Sequence, residues 1–185
     1  PLVRVGDEAP GVPGVRFTSI GEPVTDGVGG VAFLAALDGV PGGLWVGDAA
    51  GRLELVARLG QPAPGLPAGA RFEAIRAPAL GQAGALVFLA DLARFSGGVN
   101  LDNFRTLWAW AASDPRLVAR SDEQAPGLAP GTRFTFFARP VLNRVGELAF
   151  RANLSSPGSG SVWAPGPAGE LALALRSGMP APAPA

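Results

Sequence analysis

The side chains able to do chemistry are few, and two kinds are missing. The 185-residue chain has no Cys and no His. Thiol nucleophiles, imidazole bases, disulfides and the usual zinc ligands are removed together. What remains is a set of arginines, carboxylates and aromatics at recurring spacings. Arg16, Arg71 and Arg133 each open a strand-like run. Gathered at one central opening, their guanidinium groups would bind an anion; packing between repeats is the other use for them. A second series, Arg4, Arg58, Arg120 and Arg176, has acidic neighbours at Asp7, Glu8, Asp122 and Glu123. Local pairing, or a solvated place on an outer strand, accounts for these, and exposed pairs contribute little. Asp7/Glu8 and Asp122/Glu123 are sequence neighbours in turns, where adjacent side chains diverge. They do not make an acid–base pair. No catalytic residue and no cofactor are expected.

One segment breaks the repetition. Phe88 and Trp108 are 20 residues apart, against 12 and 13 for Phe33–Trp45 and Phe150–Trp163. The extra residues, 93–105, contain Phe95 and Phe104, which either anchor a partner or fold over a sheet edge. Asn100, Asp102 and Asn103 offer oxygens of the kind Ca²⁺ takes, but a single carboxylate is too little charge, so no metal site is expected. These five residues and the three strand-opening arginines are the candidate binding residues.

The elements that position them recur. Arg4, Arg58, Arg120 and Arg176 are separated by 54, 62 and 56 residues, and Pro10, Pro64, Pro126 and Pro182 repeat those intervals. Phe17/Phe72/Phe134, Phe33/Phe88/Phe150 and Trp45/Trp108/Trp163 follow the same period. Fixed-period self-similarity is the mark of a repeat architecture. Residues 1–11 are the tail of a preceding repeat, with Leu2–Val5 as an outer strand. Three full repeats span 12–65, 66–127 and 128–178, and 179–185 form a Pro/Ala-rich linker.

Each repeat predicts four short strands. The first are 16–20, 71–75 and 133–137; the second are 30–37, 86–90 and 148–154. The third carry the Trp, and the fourth hold the Leu-Val-Ala-Arg run. These runs are aromatic and aliphatic, bounded by Gly, Pro, Asn and Asp. Pro23, Pro78 and Pro140 cannot donate to a ladder, which puts the first strand at a sheet edge. Gly29, Gly84 and Gly146, each four residues before a Phe, predict a positive φ in the first hairpin. The four Trp are expected between repeats. The fold class is therefore all-β, three four-stranded antiparallel repeats, propeller-like. Three units do not close a ring, so the chain is part of a larger propeller or a ring completed by assembly. A β-trefoil or β-prism is the alternative.

The stretch Asn143-Arg144-Val145-Gly146-Glu147-Leu148-Ala149-Phe150 resembles bacterial tandem-repeat proteins named for an Asn-x-x-Gly-x-x-Ala-Phe motif. Repeat 1 has Asp26 at the Asn position and repeat 2 has Gly81. The resemblance implies an exported or cell-surface protein of unknown activity. Net charge is zero, with 15 basic and 15 acidic residues, so nothing steers the chain to nucleic acid. No apolar run is long enough to span a membrane.

The leading expectation is a non-catalytic structural or interaction module of an exported repeat protein. It is completed by self-association, by another protein, or by the rest of a parent chain. A glycan- or anion-binding propeller is the second, and a carboxylate-dependent glycoside hydrolase or lyase the third.

Overall fold

A computed structural model describes residues 2–111, 114–155, 160–167 and 169–180. Their strands lie in three antiparallel sheets. The first holds β1 (Phe17–Ile20), β2 (Val24–Thr25), β3 (Val31–Leu37), β4 (Gly43–Gly47) and β5 (Leu53–Arg58), ordered β1-β3-β4-β5 with β2 also on β3. The second holds β6 (Phe72–Leu80), β7 (Leu86–Leu92), β8 (Arg105–Trp110) and β9 (Arg116–Arg120) in chain order. The third holds β10 (Phe134–Phe137), β11 (Val141–Leu142), β12 (Leu148–Leu154), β13 (Gly160–Pro165) and β14 (Leu171–Arg176), arranged like the first.

Local chemistry sets the strand ends. The first strand of each sheet is an edge strand, as proline requires. Pro23 and Pro140 fall in the gaps that separate β1 from β2 and β10 from β11. Pro78 lies inside β6, where the register shifts between Arg76 and Ala79 and Ala77 takes φ 50°. Gly29, Gly84 and Gly146 have φ of 108°, 75° and 83°. Register repeats too: Phe33 faces Trp45 and Trp45 faces Leu55, as Phe88, Trp108, Leu117 and Phe150, Trp163, Leu173 do.

The sheets pack in series. One face of each, here the leading face, carries a Phe from the first strand, a Phe from the second and the Trp of the third. Ring centroids are 5.0 Å apart for Phe17–Trp45, 5.2 Å for Phe72–Trp108 and 5.0 Å for Phe134–Trp163, all edge-on. Against Phe72, Phe88 and Trp108 pack Leu44, Val46, Val56 and Ala57 from the opposite, trailing face of the first sheet. Against Phe134, Phe150 and Trp163 pack Leu107 and Ala119 of the second. Each buried aromatic removes a large apolar surface from water, so these interfaces supply much of the driving force for folding. A trefoil or prism gathers three repeats around one centre. Among the described residues there is no barrel and no core shared by all three sheets, so that alternative does not fit.

The Ala-Pro-Gly segments join the sheet that follows them. Gly6, Gly60 and Asp122 donate backbone N–H groups to the carbonyls of Phe17, Phe72 and Phe134 at 2.8, 2.7 and 2.8 Å. Ala9, Ala63 and Ala125 are buried within these loops. Residues 2–5 differ from expectation: they form no strand and belong to no sheet. Val3 packs instead on the cluster of Phe17, Phe33 and Trp45. Of the tail expected over 179–185, residues 181–185 lie outside the described residues.

Candidate functional site

The three strand-opening arginines have one repeated task. Arg16 Nη1 donates to the Gly6 carbonyl at 2.5 Å, Arg71 Nη1 to Gly60 at 2.8 Å, and Arg133 Nη1 to Asp122. Each guanidinium ties the start of a first strand to the turn leading into it, so part of its hydrogen-bonding capacity is spent on the loop that joins one repeat to the next. Arg133 also lines a hollow of about 280 Å³ with Arg105, Asp102 and Asp122. The structure thus brings Arg133 and Asp102 together; Arg16 and Arg71 hold to their own turns.

The 93–105 segment is tied down at several points. Val99 is buried in the core between sheets one and two, and Phe104 packs against that core. Arg105 lies over the Phe104 ring, 4.3 Å from its centroid, and Arg94 stands 5.3 Å from it. Ser96 Oγ donates to the Gly69 carbonyl at 2.9 Å. Asn100 Oδ1 accepts from the N–H of Asp102 and Asn103, and Asn103 Oδ1 accepts from the Asn100 N–H. Those two amide oxygens therefore serve turns. Phe95 is 80% exposed, at φ 65°.

The Asn-x-x-Gly motif is also a turn device. Asn143 Oδ1 accepts from the N–H of Val145 and Glu147, and Asp26 Oδ1 from Val28 and Gly30. Repeat 2 has Gly81 at this position and lacks the acceptor. A Cβ on Gly81 would press to 3.2 Å on Leu142 of the third sheet.

Two grooves recur at matching places between successive sheets. The one between sheets one and two, about 700 Å³, is lined by Asp26, Asp48, Arg52, Glu54, Leu80 and Trp110. Its counterpart between sheets two and three, about 420 Å³, includes Trp110, Arg116, Leu142 and Glu170. Asp48 Oδ1 accepts from the N–H of Ala50 and Arg52, and Oδ2 from Arg52 Nε at 2.7 Å. The Arg52 backbone hydrogen bond, then its side chain, hold the Asp48 carboxyl below its ordinary value. It is thus ionised at neutral pH, the wrong state for a general acid.

The largest departure from repetition is in burial. Ala57 and Ala119, in equivalent registers opposite Leu44 and Leu107, are each 2% exposed beneath the next sheet. The third member of that series is Leu175, opposite Val162, and it is 50% exposed. Phe136, which occupies the register of Ser19, is 42% exposed. The trailing face of the third sheet thus exposes Leu175 where the other two sheets bury an Ala, and adds an exposed Phe136 where they have Ser19 and Ala74. Arg151 and Asn153 share that face. This surface was not among the residues singled out from sequence. The signal that finds it is a Leu where two aligned repeats have Ala.

The chain belongs to a family of unknown function (DUF7453), which matches residues 1–181. No curated protein and no solved structure gives a match.

Proposed function

We propose that the chain is a non-catalytic structural module whose end sheets engage further four-stranded sheets of the same kind, as blades do in a β-propeller. The observation that carries this is the exposure of Leu175 where Ala57 and Ala119 are buried. Unpartnered apolar faces at the end of a repeat array need a cap or a neighbour. An exported or surface setting is supported by the resemblance of the Asn-x-x-Gly turn alone. The turn roles of Asp26 and Asp48 favour structure over carboxylate catalysis.

A tandem fusion tests the reading. Joining Arg176 of one copy to Val5 of the next gives Arg176-Val5-Gly6, the spacing of Arg58-Leu59-Gly60. Sheet three then has a first sheet tethered at the natural interval. Covering Leu175 and Phe136 should add about 2 kcal/mol, raise the melting temperature and slow amide exchange in β14. A fusion whose β14 exchanges as fast as in the single chain, with unchanged melting, refutes the reading.

A further inference from the structure

We infer that the occupant of the third sheet's trailing face is the first sheet of a second copy of this chain. Two copies dock reciprocally, head to tail, into a closed ring of six sheets. This rests on the reading of the end sheets as docking faces and names their partner.

The internal interfaces define what fits. Both join a trailing face to a leading face that carries two Phe and a Trp. A third trailing face therefore selects a leading face, and the chain has one whose trio meets no preceding sheet: Phe17, Phe33 and Trp45, which are already buried in a cluster with Val3, Ala9 and Val12 of the N-terminal segment. The trailing faces also differ in apolar volume. Where the first two sheets present Leu with Ala (Leu44/Ala57 and Leu107/Ala119), the third presents Val162 with Leu175. The third sheet thus offers more apolar side-chain volume on this strand pair than either internal trailing face does.

The leading face is held by a short stand-in. Arg4 aligns with Arg58 and Arg176, so Val3 has the repeat position of Ala57 and Leu175. Val3 packs on Phe17, Phe33 and Trp45 as Ala57 packs on Phe72, Phe88 and Trp108. Leu2 lies against Gly47, close enough that a Cβ there would come within 2.6 Å of it. Yet residues 2–5 belong to no sheet, and Val5 is exposed. A β14 arriving from a second copy brings the equivalent residues with a whole sheet behind them, and displaces residues 2–4. The stand-in therefore weakens docking and shields the leading face in the free chain.

Heterologous contacts make rings when the rotation closes and filaments when it does not. Propellers have about four to eight blades. Two copies give six sheets, inside that range; three copies give nine, outside it.

Analytical ultracentrifugation over a concentration series is the test. The expected result is a monomer–dimer equilibrium that stops at twice the 18.7 kDa of one chain. Leu175→Arg should weaken the dimer about 30-fold or more, and deleting residues 1–4 should tighten it. Leu53→Arg, on the leading face, should also be monomeric, with circular dichroism confirming that both variants fold. Mixing Leu175→Arg with Leu53→Arg should restore a dimer through the one intact interface, which pairing of identical faces cannot do. A single 18.7 kDa species up to millimolar concentration, open-ended polymers, or no complementation on mixing each overturns the proposal. If free chains stay monomeric while the Arg176–Val5 fusion protects β14, the docking faces stand and the second copy falls. If the fusion also fails, both fall.

Discussion

Thr106 offers the sharpest test of how the repeats are built. It is buried on β8, where its Oγ1 donates to the Ala90 carbonyl at 2.7 Å and accepts from Trp108 Nε1 at 2.7 Å. Trp108 is fully buried, so no water can replace the hydroxyl. Thr106→Val keeps the shape and removes the oxygen. The indole N–H is then a buried donor without an acceptor, and a carbonyl loses one partner, for a cost of about 2–3 kcal/mol. Thr106→Ser keeps the oxygen and loses a methyl, for about 1 kcal/mol. Urea unfolding, compared at equal slope, measures both. The same relay stands in the third sheet: Trp163 Nε1 donates to Ser161 Oγ at 2.9 Å, which donates to the Ala152 carbonyl at 2.8 Å. Ser161→Ala should therefore fall near Thr106→Val. In the first sheet the position is Gly43, where an added Cβ would collide with the Ala57 carbonyl. Trp45 Nε1 donates to the Pro10 carbonyl at 3.0 Å instead. If Thr106→Val costs no more than Thr106→Ser, the relay does not hold the indole and the argument fails.

Three further outcomes follow from the turns. Gly29→Ala should cost about 2–3 kcal/mol, because φ is 108° and the methyl would lie 2.8 Å from Ala49 Cβ; Gly131→Ala, at φ 85° with nothing near, should cost about 1–2 kcal/mol. Thermal melts of the pair separate strain from clash, and equal losses would refute the contact. Asn143→Ala removes the acceptor for two turn amides and should cost about 1 kcal/mol. Asn143→Asp should recover only part of that, since Asn143 Nδ2 donates to Glu147 Oε2 at 2.7 Å and a carboxylate there would repel it; calorimetric melts decide the order. Asp48 has a folded pKa below its unfolded value, so its stabilisation is present at neutral pH and is lost as the pH falls below about 4. The stability difference between the parent and Asp48→Asn should shrink on acidification in urea titrations, and one that grew would refute the assignment.

The sheets were legible because their signals are local and repeated. An edge Pro, a Gly before the second strand and a Trp in the third each report one backbone fact, and three copies reinforce it. The binding candidates were harder to read, because a type at a spacing does not say which bonds it already makes. Arg16, Arg71 and Arg133 look alike as free guanidinium groups and as turn clamps until the carbonyls of Gly6, Gly60 and Asp122 are placed beside them. Asn100 and Asn103 look like metal oxygens until the amides they serve are seen. Leu2–Val5 reads as a strand because its pattern is that of β5 and β9, yet a strand exists only where another chain segment supplies its hydrogen bonds.

Arg151 and Asn153 on the trailing face of the third sheet do not by themselves mark it as a solvent surface. The second sheet carries a charge in the register of Asn153: Asp91 lies opposite Ala74, as Asn153 lies opposite Phe136. Sheet three packs against that face, and Leu89, the counterpart of Arg151, belongs to the shared core. Asp91 is accommodated there because Arg76 grips it with two bonds, at 2.5 and 2.7 Å. A partly buried charge inside such an interface is tolerated when its partner is fixed beside it and costly when it is not. An interface at the third sheet thus requires an acceptor for Arg151 from the docked sheet. Arg151→Ala should therefore weaken the dimer, and an unchanged or tighter dimer would refute the requirement. Sedimentation of that variant beside Leu175→Arg tells whether the charge is part of the interface or stands at its rim.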